Sequence, residues 1–453
     1  MSRLIYNSLK RSTVNFPDIL FDKSLTQLRY RKKGALDWSV IMGIAMNVPD
    51  TDRIVHTVQI EGLTPDTQYE FQVSSPHRSV YLTWENNPST SMVIHWQTLK
   101  PFTKKYTSGF DTYNTYMFKT VPVTLTGSFK VAQISDTHGG GEHLNDVFRR
   151  IGRHDTSVII HGGDIATGNG GQADASTWYG FFDSINYAKD RQGNLIPILV
   201  TLGNHETWGG SSGIQYGGAG AKPNFETGQR GDTEWYYAFF PVFPGLKGYG
   251  EITFGDYLSI MQIDPGISTL IEGEQTTWIT NTLQDKSTIP NKLISLHYGP
   301  YPAGRRQYYS YNIAVKDSLV PLWEEHKPVV FSGHDHVWCV SPPIKNGEIN
   351  LENGIRYLGS GTAGVQVREA RNPKTKWWIE NVIGTEWKYF DFENANAPGP
   401  TLEPREPHVE DGKQFDWKLG SHYWITDCNY NEKKITAYNT YENPFYELVI
   451  PNS

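Results

Sequence analysis

Six side chains able to ligate a metal ion stand where apolar stretches of this chain end: Asp136, Asp164, Asn204, His297, His334 and His336. The densest of these places is Val329-Val330-Phe331-Ser332-Gly333-His334-Asp335-His336. A β-branched and aromatic run stops at a glycine, and two histidines follow one residue apart. The glycine lets the backbone turn sharply and presents the histidines where a strand ends. Alternate residues of an extended segment can point the same way, so two imidazoles could each reach a metal. Alone, such a Gly-His-x-His is more often a polar loop than a metal site.

The same event recurs upstream in order. Residues 129–135 lead into Asp136-Thr137-His138, and residues 157–161 into Gly162-Gly163-Asp164. Residues 196–202 lead into Gly203-Asn204-His205-Glu206, and residues 292–296 into His297-Tyr298-Gly299-Pro300. Five apolar runs thus deliver His, Asp or Asn at their carboxyl ends, where open α/β sheets build their sites. One run of this kind is a buried strand with a polar turn; five in succession argue for a shared site.

The set D-x-H, G-D, G-N-H-E, H and G-H-x-H resembles the calcineurin-like metallophosphoesterases. The flanking text, residues 198–206 and His297-Tyr298-Gly299-Pro300-Tyr301, is similar to the purple acid phosphatase branch. The resemblance implies a hydrolase of phosphate esters, a phosphomonoesterase before a phosphodiesterase, with two divalent ions of iron, manganese or zinc. Ligand type does not choose among these metals. Carried over residue by residue, Asp164 bridges the ions. Asp136, His138 and His336 complete the first, and Asn204, His297 and His334 the second. A metal-bridging hydroxide would attack phosphorus, with His205 as general acid to the leaving oxygen. Glu206 would either orient His205 or make an ordinary structural hydrogen bond. Tyr301, Arg305 and Arg306 would touch the substrate or merely pack. The purple branch carries an iron-binding tyrosine three residues after the bridging aspartate; here Thr167 stands there, so no purple colour is expected. A catalytically dead binding or adhesion protein is the non-enzyme reading, and the complete ligand set argues against it.

The elements that must carry these residues read as α/β layering. Helical spacing of apolar residues recurs at 144–153, 178–185, 275–283 and 315–325, between the strands. The family likeness refines this to two mixed sheets flanked by helices, a four-layer sandwich over residues 128–453. Residues 1–127 read as an all-β unit. Leu63-Thr64-Pro65-Asp66-Thr67-Gln68-Tyr69-Glu70-Phe71-Gln72-Val73 resembles a fibronectin type III strand with its corner tyrosine. Residues 79–84 and 92–98 resemble the first two strands of such a domain but follow the tyrosine strand. Either the strand order is rearranged or two partial β-units are present. Residues 116–122 look like the last strand. Gly139–Gly141 and Gly209–Gly220 read as rims of the site. Residues 366–420 read as an insertion carrying Trp377, Trp378, Trp387 and Trp417, and residues 423–450 as a closing hairpin and final strand.

Net charge is −7 over 453 residues, with no basic block. Duplex nucleic acid is therefore not an expected partner. A small anionic phosphate ester must instead be drawn in locally, by bound cations. Two cysteines, Cys339 and Cys428, are no disulfide framework and are expected as buried thiols. No run approaches the ~20 apolar residues of a membrane helix. The first residues lack a secretion signal's apolar core, while low charge and abundant Tyr, Trp, Asn and Gly look like an exported protein, secreted or periplasmic if a signal has been removed. Oligomeric state is not legible. His143, His154, His161, His326 and His422 have no motif support and read as ordinary surface or core residues.

Overall fold

The computed structural model describes residues 26–49, 51–74, 76–99, 109–167, 175–207, 234–240, 248–301, 310–336, 338–341, 343–361, 363, 422–439 and 442–452, together with short strands at 19–20, 388–390, 409–410 and 413–414. Gly209–Gly220, Arg305, Arg306 and the four tryptophans of 366–420 lie outside the described residues.

Two mixed sheets face each other. In the six-stranded sheet, Phe129–Ile134, Val158–His161 and Ile198–Val200 run parallel, and His422–Cys428, Glu432–Asn439 and Pro444–Pro451 add an antiparallel meander beside Phe129–Ile134. In the seven-stranded sheet, Leu258–Ile263, Asn291–Leu296, Val329–Ser332 and Tyr357–Ser360 run parallel; Gly250–Phe254 and Trp338–Val340 flank them antiparallel, and Lys388–Phe390 pairs antiparallel with Trp338–Val340 at the edge. The parallel strands are mostly apolar and almost wholly buried because both their faces are covered. Helix Glu142–Arg153 buries Leu144, Val147, Phe148 and Ile151 on one side. Helices Glu274–Asp285 and Ser310–His326 bury Ile279, Leu283, Val315, Leu319 and Trp323 against Ile294 and Val330 on the other. This is the metallophosphoesterase fold. A parallel bridge between Ser135 and Gly361 joins the two sheets at their carboxyl ends.

The N-terminal region is all β. Its five-stranded sheet has the order Ile19–Leu20, Ile44–Asn47, Arg53–Glu61, Ser91–Leu99, Arg78–Thr83. Its four-stranded sheet has the order Ser39–Met42, Gln27–Lys32, Gln68–Val73, Tyr116–Lys119. Leu28, Tyr69, Phe71 and Phe118 of one sheet share a continuous core with Val58, Ile60, Leu82 and Ile94 of the other. The hairpin 78–99 joins the five-stranded sheet although it follows the tyrosine strand, which lies in the four-stranded one. Tyr69 buries its ring against Phe118 at 5.3 Å, and its hydroxyl accepts the Thr64 N–H at 2.9 Å.

This region is anchored to the larger sandwich. The Tyr81 hydroxyl donates to the Phe239 carbonyl at 2.7 Å, and the Tyr257 hydroxyl to that of Pro122 at 3.1 Å. The Arg53 guanidinium lies 3.3 Å above the Tyr179 ring, a cation–π contact made in a buried setting. Cys339 and Cys428 are buried free thiols. Among the described residues, no helix is long and apolar enough to cross a membrane.

Candidate metal centre

Every motif residue reaches the site from the carboxyl end of a parallel strand. Asp136 and His138 follow Phe129–Ile134, Asp164 follows Val158–His161, and Asn204 and His205 follow Ile198–Val200. His297 follows Asn291–Leu296, and His334 and His336 follow Val329–Ser332. One ligand atom from each of Asp136, His138, Asp164 and His336 lies within 4.8 Å of the others; Asp164, His297 and His334 form a second such group. Asp164 belongs to both. Asn204 joins the second group, its Oδ1 standing 2.9 Å from His297 Nε2.

The backbone is bent to achieve this. Asp136, His138, Asp164, His334 and His336 all have φ between 49° and 69°. Each costs about 1–3 kcal/mol relative to an ordinary conformation, and such residues cluster at functional sites. Asp and His tolerate this region better than most side chains, so the types suited to ligation are also those suited to the turn. Two glycines let the strand ends close together. A Cβ on Gly203 would overlap the amide and carboxylate of Asp164, and a Cβ on Gly361 would overlap the Asp136 carboxylate.

Hydrogen bonds aim the side chains. The His297 Nδ1–H donates to the Gly162 carbonyl at 2.9 Å, turning Nε2 toward Asp164 Oδ2 at 3.2 Å. A histidine ligand held this way has its tautomer fixed. The Asp136 carboxylate accepts the His334 N–H at 2.9 and 3.1 Å. Asp164 Oδ1 accepts the His205 N–H at 2.8 Å, leaving Oδ2 facing His297, His138 at 3.6 Å and His205 at 3.9 Å. The Nε2 atoms of His138 and His336 are buried and lack a hydrogen-bond partner among the described residues; each faces a carboxylate oxygen, at 3.6 and 3.4 Å. Nitrogens aimed at carboxylates at separations longer than a good hydrogen bond leave room for a cation between them, so these residues fit a metal pair.

Charge supports the same fit. Burial alone would raise the Asp136 carboxyl, but His336 and His297 beside it hold it well below the usual range, and Asp164 is likewise depressed despite burial. Burial pushes His138 down to about 4, so its imidazole is neutral with a lone pair to offer. His297 is pulled the other way: against burial, the Asp164 and Asp136 charges raise it to about 9. The two carboxylates thus demand a cation, which a proton or a metal ion can supply.

The residues around the two ligand groups divide between backbone contacts, packing and the open edge. Glu206 turns its carboxylate to the backbone. Its carboxylate accepts the N–H groups of Gly203 at 2.7 Å and of Asp164 and Ile165 at 2.8 Å each, so it stitches two strand ends together. The structural hydrogen bonds expected as one alternative for Glu206 are present, because three backbone N–H groups converge there. His205 has a side chain 27% exposed, against 8% or less for the side chains of His138, Asp164, His297, Asp136 and His336. Tyr301 is buried against Tyr357 at 4.8 Å and packs. His161 is a buried core histidine; its Nε2 pairs with the Thr137 hydroxyl at 3.1 Å and its Nδ1 accepts the Gly163 N–H at 3.2 Å. Thr167 donates its N–H to the Thr177 hydroxyl. Sequence reasoning missed Gly361, which follows a strand bearing no ligand, and Tyr311, whose hydroxyl stands 3.3 Å from His334 Nε2; neither carries a sequence signal of its own.

The calcineurin-like phosphoesterase family matches residues 129–338. A search of curated proteins finds no match. Among solved structures, the chain is similar to purple acid phosphatase PPD1 from yellow lupin (Lupinus luteus) seeds, with a TM-score of 0.59 at 14% identity over 96% of this chain and 74% of that one. It is also similar to PhoD, with a TM-score of 0.50 at 12% identity over 88% of this chain and 90% of that one. At these identities the likeness is one of fold, and the family match supplies the chemistry: residues 129–338 are a calcineurin-like phosphoesterase domain, which makes the chain a phosphoric ester hydrolase of the metallophosphoesterase kind.

Proposed function

We propose that the chain is a phosphomonoesterase working with two divalent ions, held by Asp136, His138, Asp164 and His336 on one side and by Asp164, Asn204, His297 and His334 on the other. The observation that carries this reading is the sharing of Asp164 by two ligand groups. The ions, when bound, act as Lewis acids toward phosphoryl oxygens and generate a nucleophile from water at neutral pH. The chain's own residues do the rest. Asp136 and Asp164 stay ionised and would repel a phosphate unless cations offset them, so substrate affinity and metal occupancy are tied together. The Gly162 carbonyl fixes the His297 tautomer. Glu206 holds the Asp164 and Asn204 turns in register. His205 keeps its ring at the partly open edge, 3.9 Å from Asp164 Oδ2, where it can reach a leaving oxygen and give it a proton.

The preference for monoesters is supported by the text around Asn204 and His297 and by the fold likeness to a purple acid phosphatase. Its test is the ratio of kcat/KM for a monoester and a diester with the same leaving group on metal-loaded protein. The monoester is expected to give the larger value; a larger value for the diester would replace this reading with a phosphodiesterase.

A further inference from the structure

We infer that Tyr311 is a positioning residue: its hydroxyl holds the Nε2 edge of His334, so that Nδ1 is the nitrogen turned toward the ion shared with Asp164 and His297. The inference rests on the two-metal reading above and assigns a residue that the motifs do not contain. Tyr311 lies in the first turn of helix Ser310–His326, and its hydroxyl is 3.3 Å from Nε2. Tyr311 and His334 are each only 3% exposed. The phenol ring is fixed by stacking on Tyr298, at 3.9 Å and 22°, and Tyr298 in turn meets the His334 ring edge-on at 4.5 Å. Asn312 donates its side-chain N–H to the Gly299 carbonyl at 2.5 Å, tying the start of the helix to the loop that carries His297.

His334 is therefore gripped at two points. Its main-chain N–H is bound by Asp136, and its Nε2 faces the phenol oxygen. With Nε2–H donating to that oxygen, Nδ1 carries the lone pair. A partner oxygen on the far nitrogen of a histidine ligand fixes both tautomer and ring rotation, and its loss typically weakens metal binding about 10–100-fold. The anchor also couples two strand ends. Tyr298 and Asn312 link the His297 loop to the helix that orients His334, so both histidines of one metal subsite are set by a single packed unit.

The test uses the full chain. Tyr311→Phe keeps the stacking ring and removes the hydroxyl, and Tyr298→Phe removes a hydroxyl from the same stack. Zinc affinities are read by competition with a chromophoric chelator, and melting is followed on metal-free protein. Tyr311→Phe should weaken one of the two ions about 10–100-fold, leave the other unchanged and preserve the metal-free melting temperature. Tyr298→Phe should bind both ions as the wild type does. Histidine 15N NMR of zinc-loaded wild type provides a measurement free of mutation, and should show His334 protonated at Nε2. A His334 protonated at Nδ1, unchanged affinities in Tyr311→Phe, or an equal loss in Tyr298→Phe would each overturn the role of Tyr311 while leaving the two-metal centre intact. A wild type binding fewer than two ions would overturn both.

Discussion

Asp164 and its neighbours divide the work between charge and geometry. Asp164 supplies the shared carboxylate, whereas Glu206, three residues beyond the glycine turn at 203, supplies three hydrogen bonds to backbone N–H groups. Burial and the Asp164 charge push the Glu206 carboxyl up to about 8, while the three N–H donors favour the carboxylate, which is the form this geometry requires. Glu206→Gln places an amide NH2 against a backbone N–H. It should cost about 1–3 kcal/mol of stability, measured by urea unfolding, and lower activity equally for good and poor leaving groups. Unchanged stability with a leaving-group-dependent loss would return Glu206 to the chemistry. For His205 the expectation is opposite. His205→Ala should slow alkyl phosphates by about 10²–10⁴-fold and nitrophenyl phosphate far less, with metal content unchanged; an equal loss on both would make it a stabiliser of charge on the phosphoryl group. The ligand types and their order were readable because apolar runs ending in Gly, Asp, His or Asn are local signals. The five left-handed backbones, the contact of Gly361 with Asp136, and the Tyr311–His334 pair were not, since each depends on which strand ends meet.

The elements follow their sequence patterns where those patterns are long. Helices read from apolar spacing at 144–153 and 275–283 appear as Glu142–Arg153 and Glu274–Asp285. Strands such as Leu258–Ile263 and Tyr357–Ser360, which end in no motif residue, went unread although they lie inside the seven-stranded sheet. In the N-terminal region, His56 and His95 lie inside the five-stranded sheet, and all four ring nitrogens pair with threonine hydroxyls: Thr26 and Thr98 for His56, Thr57 and Thr83 for His95. Burial pushes both down to about 3. A folded-state pKa below the unfolded value near 6.5 means that the unfolded chain takes up protons first. The stabilisation is therefore full above pH 6.5 and is lost as pH falls toward 3, by about 1.4 kcal/mol per pH unit for each histidine. Urea unfolding of wild type and His56→Asn between pH 7 and pH 5 should show a shallower acid slope in the variant; equal slopes would contradict it. At the turn after Asp164, Thr167 bonds to Thr177 and offers no phenol. Iron-loaded protein should thus lack a visible charge-transfer band, and such a band would require a tyrosine ligand from elsewhere in the chain.

For the whole molecule, two sheets bring their carboxyl ends to one place while the N-terminal β-region braces the outside through Arg53–Tyr179 and Tyr81–Phe239. The chain is anionic overall, and its centre is lined by two depressed carboxylates. A phosphate ester therefore gains entry only with cations in place, and activity should depend on metal loading in a defined stoichiometry. The N-terminal β-region shows how far sequence reaches: the departure from the usual order is visible in the positions of Tyr69 and of residues 79–98, whereas which sheet the hairpin 78–99 joins depends on long-range pairing with Arg53–Glu61. The most direct test of the account is the rate of phosphate monoester hydrolysis by metal-free protein as divalent metal is added. The rate should rise and saturate at two equivalents per chain. Saturation at one equivalent, or no hydrolysis at any loading, would contradict a centre built on a carboxylate shared between two ions.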